Sequence, residues 1–281
     1  MPHVRSMSAE AAAIAERLIA IDGVVAVALG GSRARGTSDA ASDVDLGVYY
    51  DPATPPSLDA LGALARVLDD SRPSDAIHPF GDWGPWINGG AWLTIDGTRV
   101  DWLFRDLARV RRVVAECRAG RPEVAYQVGH PHAFVSAIYL GEVDCCTPLA
   151  DPSGALAELK QLVRPYPPAL RRALVDRFSF ESDFSLRTAD KAAARGDAAY
   201  VAGCLFRSVA CLVQVLFATH ERYCTNEKGA LAEVGAFPRT PPTFVATARR
   251  VLASPGDGPD ALRASIAAID ELVAAVRSVA A

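Results

Sequence analysis

The chain has 281 residues, 50% of them apolar and 22% charged, which suffices for two packed cores and excludes a disordered chain. The net charge of -4 leaves no basic excess to neutralise phosphates, so a dedicated nucleic-acid binder is not expected. Six cysteines (117, 145, 146, 204, 211 and 224) form no Cys-x-x-Cys pair, and point to buried thiols in a reducing, cytoplasmic setting rather than a disulfide framework.

The opening residues, MPHVRSMSAEAAAIAERLIAID, are amphipathic and unlike a signal peptide, and residues 8–21 have helical spacing. VVAVAL at 24–29 reads as a strand ended by Gly30 and Gly31, and SDVDLGVYY as a second strand. SLDALGALARVLDD reads as a helix with Ser57 or a neighbour at its N-cap. FGDWGPWINGGAW carries three of the four tryptophans in a loop that suits stacking on a flat or sugar-like ligand, or packing in a core. The next run is a hairpin about Asp96-Gly97, whose two-residue turn pairs Ile95 with Thr98 and Trp92 with Asp101. RDLARVRRVVAECRAG is a helix ended by glycine, and 124–147 is a mixed stretch with turns at Gly129 and Pro131.

After residue 150, breakers such as RPYPP, EKG and SPGDGPD mark roughly five helices. The most apolar of these, AAYVAGCLFRSVACLVQVLFATHERY, contains Arg207 and Gln214 and reads as a buried helix rather than a membrane span. The expected architecture is an α/β (α+β) domain with a mixed sheet over 1–150, then an all-α bundle over 151–281.

Asp43 and Asp45 sit two apart in a strand and so project from one face, where two like charges repel. Gly30 and Gly31 form a turn that leaves backbone amides open to an anion. Mg²⁺ carrying a nucleoside triphosphate suits both, because it is held by carboxylates and phosphate oxygens together. Asp101 alternates with Val100, Trp102 and Phe104, so it faces away from a buried row and is the candidate third carboxylate. Asp96 fits turn chemistry, and Asp106 fits the start of a helix.

GGSRARGTSDAASDVDLGV resembles the signature of the DNA polymerase β-type nucleotidyltransferase superfamily: Gly-Ser, ten residues, Asp-x-Asp. With RVDWLF as the later acidic strand, the resemblance covers roughly residues 8–108. In plan the chain is similar to aminoglycoside and minimal nucleotidyltransferases. The resemblance implies a mixed sheet, two Mg²⁺ ions, and transfer of a nucleoside monophosphate from an NTP to a hydroxyl with release of pyrophosphate. It implies that Gly31 and Ser32 contact the triphosphate, that Asp43 and Asp45 bind both metals, and that Asp101 holds the second metal and helps deprotonate the acceptor. Arg33 and Arg35 would add positive charge at the phosphates. The helical domain would bind the acceptor. A small molecule, including an aminoglycoside-like one, is the first expectation, with no membrane and no nucleic acid as partner. The alternatives are a regulatory AMP-transferase acting on a protein or RNA, and an inactive nucleotide-binding module.

Lys228 is a candidate nucleotide contact, set against a role at the end of the long apolar helix with Gly229 as its cap. Arg207 is expected to be buried and paired with an acid of the bundle such as Asp183 or Asp190. Gly129-His130-Pro131-His132, with Cys145 and Cys146 nearby, matches no common zinc spacing.

Overall fold

A computed structural model describes residues 2–39 and 42–280; Met1, Ala40, Ala41 and Ala281 lie outside it, as do the side chains of residues 2–8. Ala40 and Ala41 belong to the ten-residue spacer of the Gly-Ser motif. The chain divides into two compact units, Met1–Ala115 with Tyr139–Pro165, and Glu116–Ile138 with Tyr166–Ala281.

Unit 1 opens with α1 (Pro2–Ile19), β1 (Val24–Leu29), α2 (Gly31–Ala34), β2 (Val44–Tyr50) and α3 (Leu58–Leu68). It continues with β3 (Ile77–His78), α4 (Gly84–Ile87), β4 (Gly90–Ile95) and β5 (Thr98–Asp106), from which α5 (Leu107–Arg118) follows. The chain returns with α6 (Ile138–Cys145), β8 (Thr147–Ala150) and α7 (Ala155–Val163). Among the described residues the strands form a six-stranded sheet in the order β3-β4-β5-β2-β1-β8. β2 and β5 run parallel and the other pairs run antiparallel, so the sheet is mixed as expected.

Alternation decides which face is which. Val44, Leu46 and Val48 of β2 and Val100, Trp102 and Phe104 of β5 are buried in one core with Leu18 of α1 and Leu61 of α3. Each such side chain contributes about 1.5–3 kcal/mol on leaving water. The intervening positions, Asp45 and Asp101 among them, therefore take the opposite face. Ser57 caps α3 by accepting from the Ala60 N–H at 3.3 Å. The hairpin has the expected register: Ile95 opposes Thr98 and Trp92 opposes Asp101. Its turn residues Asp96 and Gly97 both have positive φ, 48° and 75°, the pairing that a two-residue hairpin turn needs. Asp70 braces that turn by accepting from the N–H groups of Asp96 and Gly97, and Asp69 accepts from Thr94 N–H at 2.8 Å.

Unit 2 contains the short pair β6 (Val124–Ala125) and β7 (Phe134–Val135), then α8 (Pro168–Ala193), α9 (Ala198–Thr219), α10 (Ala230–Val234), α11 (Phe244–Ala253) and α12 (Pro259–Ala280). The breakers after residue 150 predict roughly five helices; among the described residues there are six, these five and α7 of unit 1, and α10, with 5 residues, is too short to show a period. α9 is long and apolar enough to cross a membrane, yet 67% of its most apolar window is buried inside the protein.

Two sequence expectations change here. Arg207 is half-exposed at 49%, and its partner is Glu181 rather than Asp183 or Asp190. Asp183 is already engaged by Arg187 one turn along α8 and by Arg277. α9 stops at Thr219, so Lys228 is not in its last turn, and Gly229, at φ 83°, precedes α10 instead of capping α9.

Candidate active site

β1 delivers the chain to a turn held against β2, where Gly30 N–H donates to the carbonyl of Asp45 at 2.8 Å. Gly31 follows with φ +59°, and a Cβ there would lie 1.7 Å from Asp45 Oδ2. No larger residue fits this position without moving the carboxylate. Ser32 and Arg33 continue α2 directly beyond it.

Asp45 and Asp101 are direct partners in the parallel β2–β5 pair, so their side chains leave the same face of the sheet. Asp43 stands one residue before β2. Its Oδ1 lies 2.7 Å from Arg99 Nε, an ion pair without the alignment of a hydrogen bond. Burial, then the charges of Asp45 and Asp43, push the Asp101 carboxyl up to about 6, against the pull of Arg99. Burial, Asp43 and Glu142 likewise raise Asp45, opposed by Arg35 and Arg33. Asp45 and Asp101 thus stand side by side, and the charge of Asp43 acts on both of their carboxyls. Their hard oxygen donors suit Mg²⁺, which would relieve that repulsion.

Arg33 has a structural duty: its Nε donates to the Asp43 carbonyl at 2.9 Å, and its Nη2 donates to the carbonyl of Ser42. It clamps the glycine turn to the segment carrying the first acid. Lys228 belongs to unit 2, where its backbone N–H donates to Asn226 Oδ1 at 2.9 Å, whereas the acids and the turn belong to unit 1.

Sequence reasoning missed Arg99 and the pair Arg105–Glu142. Arg105 is buried and grips Glu142 with two hydrogen bonds, Nε to Oε2 at 2.9 Å and Nη2 to Oε1 at 2.8 Å. The signal was present, since 99, 101 and 105 share one parity in β5. The tryptophans divide their duties. Trp86 is buried, and its carbonyl accepts from the Tyr139 hydroxyl at 2.6 Å. Trp83 stacks on Trp92 at 4.5 Å, with the His78 ring edge-on to Trp92 at 4.9 Å. Trp92 remains 60% exposed.

Residues 12–83 match the nucleotidyltransferase domain family. The chain carries a nucleotidyltransferase domain. The matched segment holds Gly31, Ser32, Asp43 and Asp45, and it ends before β5 brings Asp101. A nucleotidyltransferase domain makes the protein a transferase that works on nucleotides, and such domains use an NTP with a divalent metal. Among solved structures, the chain is similar to a nucleotidyltransferase-like protein from Exiguobacterium sibiricum 255-15. That likeness has 12% identity and a TM-score of 0.45, covers 98% of this chain and 75% of the other, and is too slight to bear on function. A search of the curated proteins returns no match.

Proposed function

We propose that this nucleotidyltransferase transfers a nucleoside monophosphate from an NTP to a hydroxyl of a small-molecule acceptor, releasing pyrophosphate, with two Mg²⁺ ions held by Asp43, Asp45 and Asp101. The observation that carries the reading is the pairing of Asp45 with Asp101 beside a turn that only glycine can form. Bound Mg²⁺ would supply charge neutralisation at the attacking and leaving oxygens. The chain's own residues do the rest. Gly31 and Ser32 receive the triphosphate end, and Arg33 keeps the turn fixed to Asp43. Asp101, with its carboxyl raised to about 6, is suited to take the acceptor's proton near neutral pH.

The sheet order supports a direction across the site. The glycine turn lies on the β1 side of Asp45, and Trp92 lies on β4, beyond Asp101. The exposed indole stands beside Asp101 on the side away from the glycine turn, which supports an acceptor approaching there, and its face suits a ring. The six free cysteines support a reducing, cytoplasmic setting.

The test is a screen of the four NTPs against pooled hydroxyl compounds, reading pyrophosphate with and without Mg²⁺. Release that needs both Mg²⁺ and one acceptor pool supports the reading. Label from an α-labelled NTP appearing on protein or RNA instead would transfer the reading to a macromolecular acceptor. Asp45→Asn should cut turnover by about 100-fold or more while leaving the folded protein intact; unchanged turnover would remove the acids from the chemistry.

A further inference from the structure

Three residues that this chemistry does not use converge inside unit 2. His132 precedes β7, Glu181 lies in α8 and Cys211 in α9. His132 Nε2 is 3.4 Å from Cys211 Sγ and 3.9 Å from Glu181 Oε1, and the three donor atoms all lie within 4.8 Å of one another. The His132 side chain is 1% exposed, that of Glu181 is 18% exposed, and Cys211 is fully buried.

Nitrogen, sulfur and oxygen donors in one cluster match a tetrahedral borderline metal. Ligand bonds of about 2.0–2.3 Å at a tetrahedral angle set the donors roughly 3.3–3.6 Å apart, which the His132–Cys211 pair already meets at 3.4 Å and from which Glu181, at 3.9 Å from His132, need move only a little. We propose that His132, Glu181 and Cys211 form a zinc-class metal site in the helical unit, with a fourth position open to water. The site would tie the segment before β7 to both long helices.

Supporting geometry fixes the histidine. The backbone N–H groups of His132 and Ala133 donate to the two oxygens of Glu227, at 2.9 and 3.2 Å. Nε2 is the ring nitrogen that faces Cys211 and Glu181, and with the ring proton on Nδ1 it would present its lone pair to a metal held between them. Metal entry breaks the Cys211 S–H bond, the proton passes to solvent, and the thiolate pair forms the metal bond.

Arg207 competes, because its guanidinium is paired with the same Glu181 oxygen that would bind the metal. It is half-exposed and can turn out to solvent, leaving a thiolate and a carboxylate to balance a divalent ion. That competition gives the test its sharpest arm.

The full chain, stripped with chelator and held in reductant, is titrated with Co²⁺ and followed by absorption. The expected result is one equivalent bound, with the visible bands of tetrahedral cobalt and a near-ultraviolet sulfur-to-cobalt band, displaced by Zn²⁺ and not by excess Mg²⁺. Cys211→Ser should remove the sulfur band, and Arg207→Gln should tighten Co²⁺ binding. Absence of tetrahedral bands in the parent chain overturns the proposal. So does a sulfur band that survives in Cys211→Ser, or a folded Arg207→Gln that binds Co²⁺ more weakly. None of these readouts depends on nucleotide transfer.

Discussion

Asp101 is where folding and chemistry pull in opposite directions. Its carboxyl rises from the ordinary 3.8 to about 6 in the folded chain, so folding favours its protonated form. That contribution to stability is complete below pH 3.8 and is lost as pH rises through about 6. Solvent screening of this half-buried group reduces the effect to about 1 kcal/mol. Asp101→Asn should therefore be more stable than the parent above pH 6.5 without Mg²⁺, raising Tm by roughly 2–4 °C in a thermal melt. The same substitution should abolish the rise in Mg²⁺ affinity expected as pH climbs from about 5 to 7, which titration calorimetry would read. Gly31→Ala makes a complementary demand. The added methyl meets Asp45 at 1.7 Å and the backbone sits at φ +59°, so Mg²⁺ binding should fall with only a modest loss of stability. Position 101 was legible in advance because its neighbours at 100, 102 and 104 are bulky and apolar, and strand parity did the rest. The parity that Arg99 shares with Asp101 was equally legible, but its choice of Asp43 was not, since a charged residue in a strand has many available partners until the third dimension selects one.

At the scale of elements, the hairpin that carries Asp101 depends on α3's end. Asp69 is buried and accepts from Ser71 and Thr94, and the Ser71 hydroxyl is the leading reason its carboxyl lies below the usual range. Asp69→Ala should cost about 2–3 kcal/mol in urea unfolding, since it orphans groups at the base of the hairpin. Trp92 is held by Trp83 and His78 but remains largely open, so Trp92→Ala should scarcely change stability. Under the proposed acceptor arrangement it should raise the acceptor's KM several-fold with the NTP's KM unchanged. Local chemistry made the hairpin readable, because Asp-Gly between alternating runs sets one register. The bundle was less readable. α8 and α9 emerge from their periodicity, but Arg207's choice of Glu181 depends on which acids other arginines had already taken.

At the scale of the molecule, the six cysteines carry no disulfide, and three of them, Cys117, Cys146 and Cys211, are buried. Burial also pushes Cys117 up to about 11 and Cys145 to about 12. A thiol reagent at pH 8 should spare these groups in the native chain and reach all six after unfolding, and reductant should leave Tm unchanged. The division into units was only partly legible. The change of texture after residue 150 is real, but residues 116–138 cluster with the later helices, and their short strands show no period long enough to reveal it.

The parallel pairing of β2 with β5 sets an order of events. The 47 residues from 51 to 97 must be looped out before position 101 can settle beside position 45. Closing so long a connection is slow compared with forming either hairpin or helix alone. A nascent chain halted before β5 would present the glycine bend with only two of its acids. Competence to grip a nucleotide should therefore arise late and abruptly, making ligand capture a timer for completion of the sheet.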